Sequence, residues 1–112
     1  MSTISWGDFE KIDIRTGTII EVKDFPKARK PAYQLWIDFG PELGIKKSSA
    51  QITTHYPKDQ LVNRSIVAVV NFPPKQIADF FSECLVLGVY DENNHVILLH
   101  PERPVKNGQR IG

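Results

Sequence analysis

The sequence predicts an all-β fold, in which the strands form a small closed or nearly closed barrel. Three observations favour this class. Five or six segments have the patterns of strands, the first of them is long and contains a glycine, and a short helical segment separates the third from the fourth. At 112 residues the chain has the size of one domain, so we expect a single domain over residues 1–112.

The first predicted strand covers residues 12–22. Its apolar side chains fall mostly on one side of the strand, which is typical of a half-buried position. The residues on that side are Ile12, Ile14, Ile20 and Val22. Gly17 lies in the middle of the segment and indicates a bend or a bulge, because glycine weakens a regular strand.

The second and third strands follow across a basic connection and a turn. Residues 33–39 alternate strictly between apolar and polar, which directs Trp36 away from the core. The residues expected to point inward are Tyr33, Leu35, Ile37 and Phe39. Residues 40–44 predict a turn, and residues 45–52 a third, more polar strand.

The fourth strand is the most distinctive part of the chain. Residues 66–70 form an apolar, mostly β-branched run, which indicates a strand buried on both faces. One or two helical turns are predicted before it, over residues 57–62. Two prolines end the strand, because proline cannot donate a ladder hydrogen bond. The rigid loop that follows presents Asn71, Phe72, Pro73 and Lys75.

The remaining elements complete the barrel and its extensions. Residues 85–90 and 95–100 predict a hairpin, residues 101–112 an irregular tail that docks, and Ser5 the cap of a short N-terminal helix. Together these elements predict a five-stranded OB-fold barrel with a short helix and docking N- and C-terminal extensions.

Several separated motifs cover essentially the whole chain. They are Asp13-Ile14-Arg15-Thr16-Gly17-Thr18-Ile19, Ser48-Ser49-Ala50 and Asn71-Phe72-Pro73-Pro74-Lys75 followed by Ser82. In this order they resemble the dimeric tRNA-binding OB-fold family. Further residues are similar to its branch of CsaA-type chaperones, which are linked to bacterial protein export. These are Phe25-Pro26, Pro31, Ser48 to Thr53, Asn71 to Pro74 and Pro104 to Gly108.

The resemblance implies a homodimer without enzymatic activity. Its expected partners are unfolded or export-bound precursor polypeptides, and the alternative is a tRNA-binding protein that uses the same barrel face. Where tRNA-binding relatives commonly have a basic residue, then Arg and Gly, this chain has Gln76, Ala78 and Asp79. We therefore expect weak tRNA binding, because two phosphate contacts are lost and a negative charge is added.

The charge distribution predicts one basic surface. The net charge is only +1, but residues 23–75 hold nine Lys or Arg against four Asp or Glu. Such a surface suits polyanions or acidic peptide segments, although ordinary solvated loops are an alternative. The candidate nucleic-acid contacts are the cations Lys27, Arg29, Lys30, Lys46, Lys47 and Lys75, with the neutral side chains Ser49, Asn71 and Ser82.

Aromatic residues outside the predicted core suggest two apolar surfaces. The candidate peptide-binding residues are Trp36, Phe72, Pro73 and Phe81. Trp36 could instead pack under the N-terminal segment or in a subunit interface. The candidate dimer-interface residues lie in the terminal extensions and are Trp6, Phe9, Pro104 and Ile111.

The sequence predicts neither an enzyme nor a protein that requires a cofactor or metal. No nucleophile–base pattern is present, and His55, His95 and His100 lack the spacing of paired metal ligands. The single cysteine, Cys84, cannot form an internal disulfide, which fits a cytoplasmic protein. No apolar run predicts membrane insertion, and the first residues lack the pattern of a secretory signal.

Overall fold

The chain forms nine strands and three short helices, and the computed structural model describes residues 1–112. The strands are β1 (Ile14–Asp24), β2 (Tyr33–Asp38), β3 (Ile45–Ala50), β4 (Ser65–Val69), β5 (Lys75–Ile77), β6 (Phe80–Ser82), β7 (Leu85–Val86), β8 (Gly88–Tyr90) and β9 (Val96–Leu98). The helices are α1 (Trp6–Glu10), α2 (Gly40–Leu43) and α3 (Lys58–Leu61). Five strands pair antiparallel in the order β3-β2-β1-β4-β7, while β5–β6 and β8–β9 form separate hairpins. The prediction of an all-β OB fold is confirmed.

Hydrogen bonds between β3 and the residues before β7 nearly close the barrel. The Glu83 N–H donates to the Lys47 carbonyl over 2.8 Å, and the Lys47 N–H donates to Glu83 Oε1 over 2.9 Å. Nearby, Ser48 Oγ donates to the Cys84 carbonyl over 2.9 Å. These bonds give the two edge strands partners at this point, which reduces the free edge that could pair with other chains.

The barrel interior holds the main hydrophobic core. All four residues that the β2 pattern directs inward are buried, as is the apolar run of β4. A buried hydrogen-bond relay crosses the core: the Tyr33 hydroxyl donates to the Tyr56 carbonyl, and the Tyr56 hydroxyl accepts from the Leu98 N–H, each over 2.9 Å. These bonds satisfy polar groups that would otherwise be costly to bury.

The predicted inward face of β1 is wrong for part of the strand. Ile12 and Ile20 are each 41% exposed, whereas Ile19 is fully buried. The β1–β2 register shifts between Ile19 and Glu21, and this bulge reverses which side chains point inward. The bulge therefore does not lie at Gly17, where the sequence indicates a bend or a bulge. Gly17 instead allows close packing, since a Cβ there would lie 2.8 Å from Ile37 Cγ2.

Both termini are ordered against or beside β1. Ser5 caps α1 through a reciprocal capping box with Asp8, as predicted for this residue. The tail runs along the first half of β1: the Thr16 N–H donates to the Gln109 carbonyl over 2.9 Å, and the Gly108 N–H donates to the Thr16 carbonyl over 2.7 Å. The expectation of a docked tail is confirmed.

Two short elements differ from the sequence pattern. Residues 40–44 contain the helix α2 rather than a simple turn, and the β5–β6 hairpin follows the prolines directly. The hairpin predicted across residues 91–94 is confirmed, with Tyr90 paired to Val96. None of the helices has the length and apolarity needed to cross a membrane.

Candidate functional site

The loop between β4 and β5 is fixed by the amide side chain of Asn71. Asn71 Oδ1 accepts from the Asp13 N–H over 3.0 Å, and Nδ2 donates to the Lys11 carbonyl over 2.7 Å. These two bonds join the loop to the segment between α1 and β1. Asn71 therefore uses both ends of its amide within the chain and positions the loop, while its contact with nucleic acid stays a prediction.

An apolar pocket lies beside this loop. Its volume is about 280 Å³, and the residues that line it are Phe72, Pro73, Lys75, Ser82, Cys84 and Leu85. The Phe72 ring is 54% exposed and forms part of the pocket wall, so its apolar surface is available to a ligand. Cys84 and Leu85 were missed by sequence reasoning, because nothing in an apolar strand pattern shows that its first residues border a pocket.

The cysteine in this pocket is held in its protonated form. Burial raises the pKa of the Cys84 thiol to about 12, so the thiol is protonated at neutral pH. Its Sγ lies 3.7 Å from the Lys47 carbonyl. The nearby Ser82 Oγ accepts from the Ser49 N–H and donates to the Cys84 carbonyl, over 3.1 and 3.3 Å. The pocket therefore lacks an activated nucleophile.

A larger basic groove adjoins the pocket. Its volume is about 680 Å³, and its lining contains four of the six predicted cations, Lys27, Arg29, Lys30 and Lys75, together with Ser49. The groove is also lined by Ala28, Ala32, Gln51, Gln76, Ile77 and Ala78. Lys75 lines both the pocket and the groove, so the two are adjacent. The structure thus brings together most of the candidate nucleic-acid residues.

One of these cations is already paired. Lys27 Nζ lies 2.8 Å from Asp79 Oδ2, across the space between the basic connection and the β5–β6 turn. The hydrogen bond between the two groups raises the pKa of Lys27 and lowers the pKa of Asp79. Both side chains are solvent-exposed, so the pair contributes little to folding stability but reduces the positive charge of the groove.

The other two predicted cations lie outside the groove lining. Lys46 and Lys47 are on β3, where Lys47 faces Trp36 in the register and its Nζ lies 5.1 Å from the centre of the Phe80 ring. This contact places Lys47 over a small second cluster of apolar residues. The basic surface is therefore divided between the groove and the outer face of the sheet.

Trp36 belongs to that second cluster and not to the apolar pocket. Its ring meets Phe80 edge to face at 6.0 Å between centroids, Phe80 meets Phe25 at 5.4 Å, and Lys23 Nζ lies 4.9 Å from the Trp36 ring. The outward direction predicted for Trp36 is confirmed, but the β5–β6 hairpin partly covers it. Phe81 remains 47% exposed and lies outside the pocket lining.

The terminal segments form a third apolar surface. Ile4, Ser5, Trp6 and Phe9 line a groove of about 600 Å³ together with Gly112. Trp6 is 82% exposed, which is unusual for a tryptophan. Ile111, which precedes Gly112 in the chain, is half-buried and Pro104 is exposed, but neither residue lines the groove.

The sequence and the fold of the chain are similar to those of known proteins. The profile of a family described as "Putative tRNA binding domain" matches residues 14–110. The chain is 55% identical to a CsaA chaperone protein of Picrophilus torridus, with a TM-score of 0.92 and coverage of 98% of this chain and 100% of that one. It is 49% identical to the chaperone CsaA of Bacillus anthracis, with a TM-score of 0.93 and coverage of 99% and 100%.

Curated relatives include much longer proteins. The methionine–tRNA ligase of Thermococcus onnurineus is 36% identical over 108 residues, which are 96% of this chain but only 14% of the ligase. The chain thus spans a small part of the length of such relatives.

Proposed function

The chain belongs to the tRNA-binding OB-fold domain family, and from this premise we propose that it is a non-enzymatic, CsaA-like chaperone. Its proposed ligands are unfolded or export-bound polypeptides. One observation carries the proposal: the rigid loop holds the exposed Phe72 ring in the wall of an apolar pocket, next to a basic groove. This combination suits capture of apolar side chains within charged polypeptide segments.

The apolar pocket supports binding without strict sequence recognition. Burial of apolar area contributes about 25 cal/mol per Å² and requires no particular hydrogen-bond partner. Because Asn71 already fixes the loop, little conformational entropy is lost on binding. We expect modest affinity, tolerance of many sequences and no dependence on ATP.

An aggregation assay on a denatured client tests the apolar anchor. Phe72→Ala removes part of the pocket wall and should reduce protection clearly, since an apolar anchor deleted from a binding surface lowers affinity directly. Tyr90→Ala is the matched control, because Tyr90 is an exposed aromatic residue outside the pocket lining. Trp36→Ala should also reduce protection, provided that its folding is checked first, because Trp36 packs on Phe80.

The same assay separates the apolar pocket from the basic surface. The double variant Lys46→Ala/Lys47→Ala should protect nearly as well as wild type, since surface charges mainly change the encounter rate. If this variant fails while well-folded Phe72→Ala protects fully, the pocket is the wrong site and the basic surface carries the function.

The basic groove favours a second candidate function, tRNA binding. Lys27, Arg29, Lys30 and Lys75 line one groove with Ser49, a set that can contact phosphates. Affinity for total tRNA should then fall steeply as salt rises, and Lys75→Glu should weaken binding to all tRNAs and flatten the salt slope. Lys106→Glu is the control, since Lys106 is exposed and lies outside the groove. Tight, salt-resistant binding of one tRNA would reverse the ranking of the two functions.

We also propose that the protein works as a homodimer. The terminal groove around Trp6 and Phe9 leaves apolar surface that a second copy could cover. Ile111 and Pro104 in the tail are the further candidates for this interface. A dimer would place two apolar pockets on one particle, which increases the retention of a long client.

A further inference from the structure

Two histidines that are distant in the sequence meet in the fold. His55 follows β3, and His95 precedes β9, yet their ring centroids are 5.7 Å apart and their planes are nearly perpendicular. Asp91 joins them, with its Oδ2 2.7 Å from His55 Nε2. One ligand atom from each of the three residues lies within 4.8 Å of the other two. The sequence spacing gave no sign of this cluster, because the β8–β9 hairpin and the loop after β3 meet only in the folded chain.

The aspartate is held in a fixed orientation. Its Oδ1 accepts from the Asn93 N–H and from the His95 N–H, each over 2.9 Å, so the turn of the hairpin fixes the carboxylate. Oδ2 is directed to His55. The turn and His55 together therefore hold both oxygens of the carboxylate in place.

The core already aligns the two segments. Tyr56, next to His55, accepts from the Leu98 N–H of β9 through its buried hydroxyl, over 2.9 Å. The two histidines are thereby brought together by packing that does not involve them. A ligand that joins them therefore finds the backbone in place and loses little ordering entropy.

We propose that His55, Asp91 and His95 bind a divalent transition-metal ion and that this ion is Zn²⁺. Two imidazoles and one carboxylate are a donor set that zinc accepts, with a fourth position for water, whereas Mg²⁺ and Ca²⁺ prefer oxygen ligands. Zinc bonds of about 2.0–2.2 Å place ligand atoms about 3.3 Å apart. The His55–Asp91 contact must lengthen slightly and the widest separation must shorten, so zinc binding requires small rotations of the two histidine side chains around the fixed carboxylate.

The bound ion would connect the loop after β3 to the tip of the β8–β9 hairpin. Since backbone pairing and the Tyr56 bond hold the hairpin without it, the ion adds stability to a fold that forms in its absence.

Calorimetric titration of tag-free, EDTA-stripped protein with ZnCl₂ tests the site. We expect one ion per chain and a melting temperature that rises by about 10 °C at a hundredfold excess over Kd, where binding contributes about 2.7 kcal/mol. His55→Ala and His95→Ala should each weaken zinc binding by more than about tenfold, because even the outer partners of metal ligands contribute about 10–100-fold. His100→Ala should bind zinc as wild type does, since His100 is exposed and outside the cluster.

Cobalt provides a second readout that is independent of stability. Co²⁺ should give a d–d absorption band that His55→Ala abolishes. No thiolate charge-transfer band should accompany it, because Cys84 is buried and protonated. The proposal is overturned if wild type and His55→Ala bind zinc equally, if His100→Ala loses binding to the same extent, or if the cobalt spectrum shows thiolate ligation.

Discussion

The ion pair between Lys27 and Asp79 sets the charge of the basic groove at the scale of single residues. The two atoms that meet, Lys27 Nζ and Asp79 Oδ2, are 2.8 Å apart and exposed to solvent. An incoming phosphate must compete with the aspartate for the lysine. This gives a physical reason for the weak tRNA binding that the sequence predicts.

Replacement of Asp79 by Asn should increase the affinity for polyanions. The change removes a negative charge and frees Lys27, so one more counterion is released per complex and the salt slope steepens by about 0.7–0.9. Filter binding of total tRNA over a range of salt concentrations measures both effects. Asp59→Asn is the control, because Asp59 is an exposed acid on α3 outside the groove. Equal slopes for the two variants would show that the ion pair does not restrict the groove.

Cys84 should make folding stability depend on alkaline pH. Its pKa is about 12 in the folded chain against an ordinary 9.0, so the unfolded chain releases the proton first. The contribution of the Cys84 thiol to the free energy of unfolding is complete below pH 9, and it is lost as the pH rises through about 12. Urea unfolding of wild type and Cys84→Ala between pH 8 and about 11 measures the difference. A thiol reagent should label native Cys84 only as fast as the chain opens, and rapid labelling at neutral pH would contradict this account.

At the scale of elements, β1 is shared by almost every part of the molecule. Its first half pairs with β4 and its second half with β2. A bulge between Ile19 and Glu21 changes which side chains point inward from one half to the other. Gly17 lies on the buried side, where Ile37 and Phe39 pack directly on its Cα. The absence of a side chain there allows the β2 residues to fill the barrel.

Gly17→Ala should destabilise the fold by about 1–3 kcal/mol, because the new Cβ would lie 2.8 Å from Ile37 and 2.9 Å from the Phe39 ring. Urea denaturation monitored by tryptophan fluorescence measures the loss. Gly7→Ala on α1 is the matched control, since the nearest neighbour of the new Cβ would be Ser5 Oγ at 3.6 Å. A Gly17→Ala variant as stable as Gly7→Ala would show that the barrel adapts without cost.

At the scale of the whole molecule, two exposed apolar surfaces lie away from the apolar pocket at Phe72. One is the terminal groove with Trp6, and the other is the β8–β9 hairpin, where Tyr90 is 74% exposed. Both surfaces are candidates for contact with a second copy, and the terminal groove is the one that we assign to the dimer.

Light scattering at micromolar concentration should show a dimer, and Trp6→Glu should halve the mass. The reason is that a buried charge in an apolar interface lacks a partner. Tyr90→Glu should leave the dimer intact. If Tyr90→Glu and not Trp6→Glu dissociates it, the hairpin is the interface, and a wild-type monomer would refute the dimer altogether.

Local patterns in the sequence were sufficient for most of the barrel. The alternation around Trp36, the β-branched run of β4 and the cap at Ser5 each depend on near neighbours in the chain, and the structure has them as predicted. The inward face of β1 could not be read in this way. Its bulge depends on pairing with β2, which a period-two pattern does not reveal.

The same distinction between local patterns and tertiary packing applies to the candidate site. The residue types of the basic surface were predictable from composition, but their grouping into a groove depends on how the β5–β6 hairpin folds over Ser49 and Lys30. Trp36 shows the same limit, since its cover by Phe80 arises from that hairpin. The meeting of His55 with His95 is likewise a product of tertiary packing alone.

The docked tail has a consequence for how the protein is made. Thr16 completes its backbone hydrogen bonds only with residues 108 and 109, which the ribosome adds more than ninety residues later. During synthesis the first half of β1 therefore keeps one edge unpaired until residues 108 and 109 have emerged. Because contacts of such sequence separation form slowly, we expect the nascent barrel to expose an unpaired strand edge, as do the clients that we propose it protects.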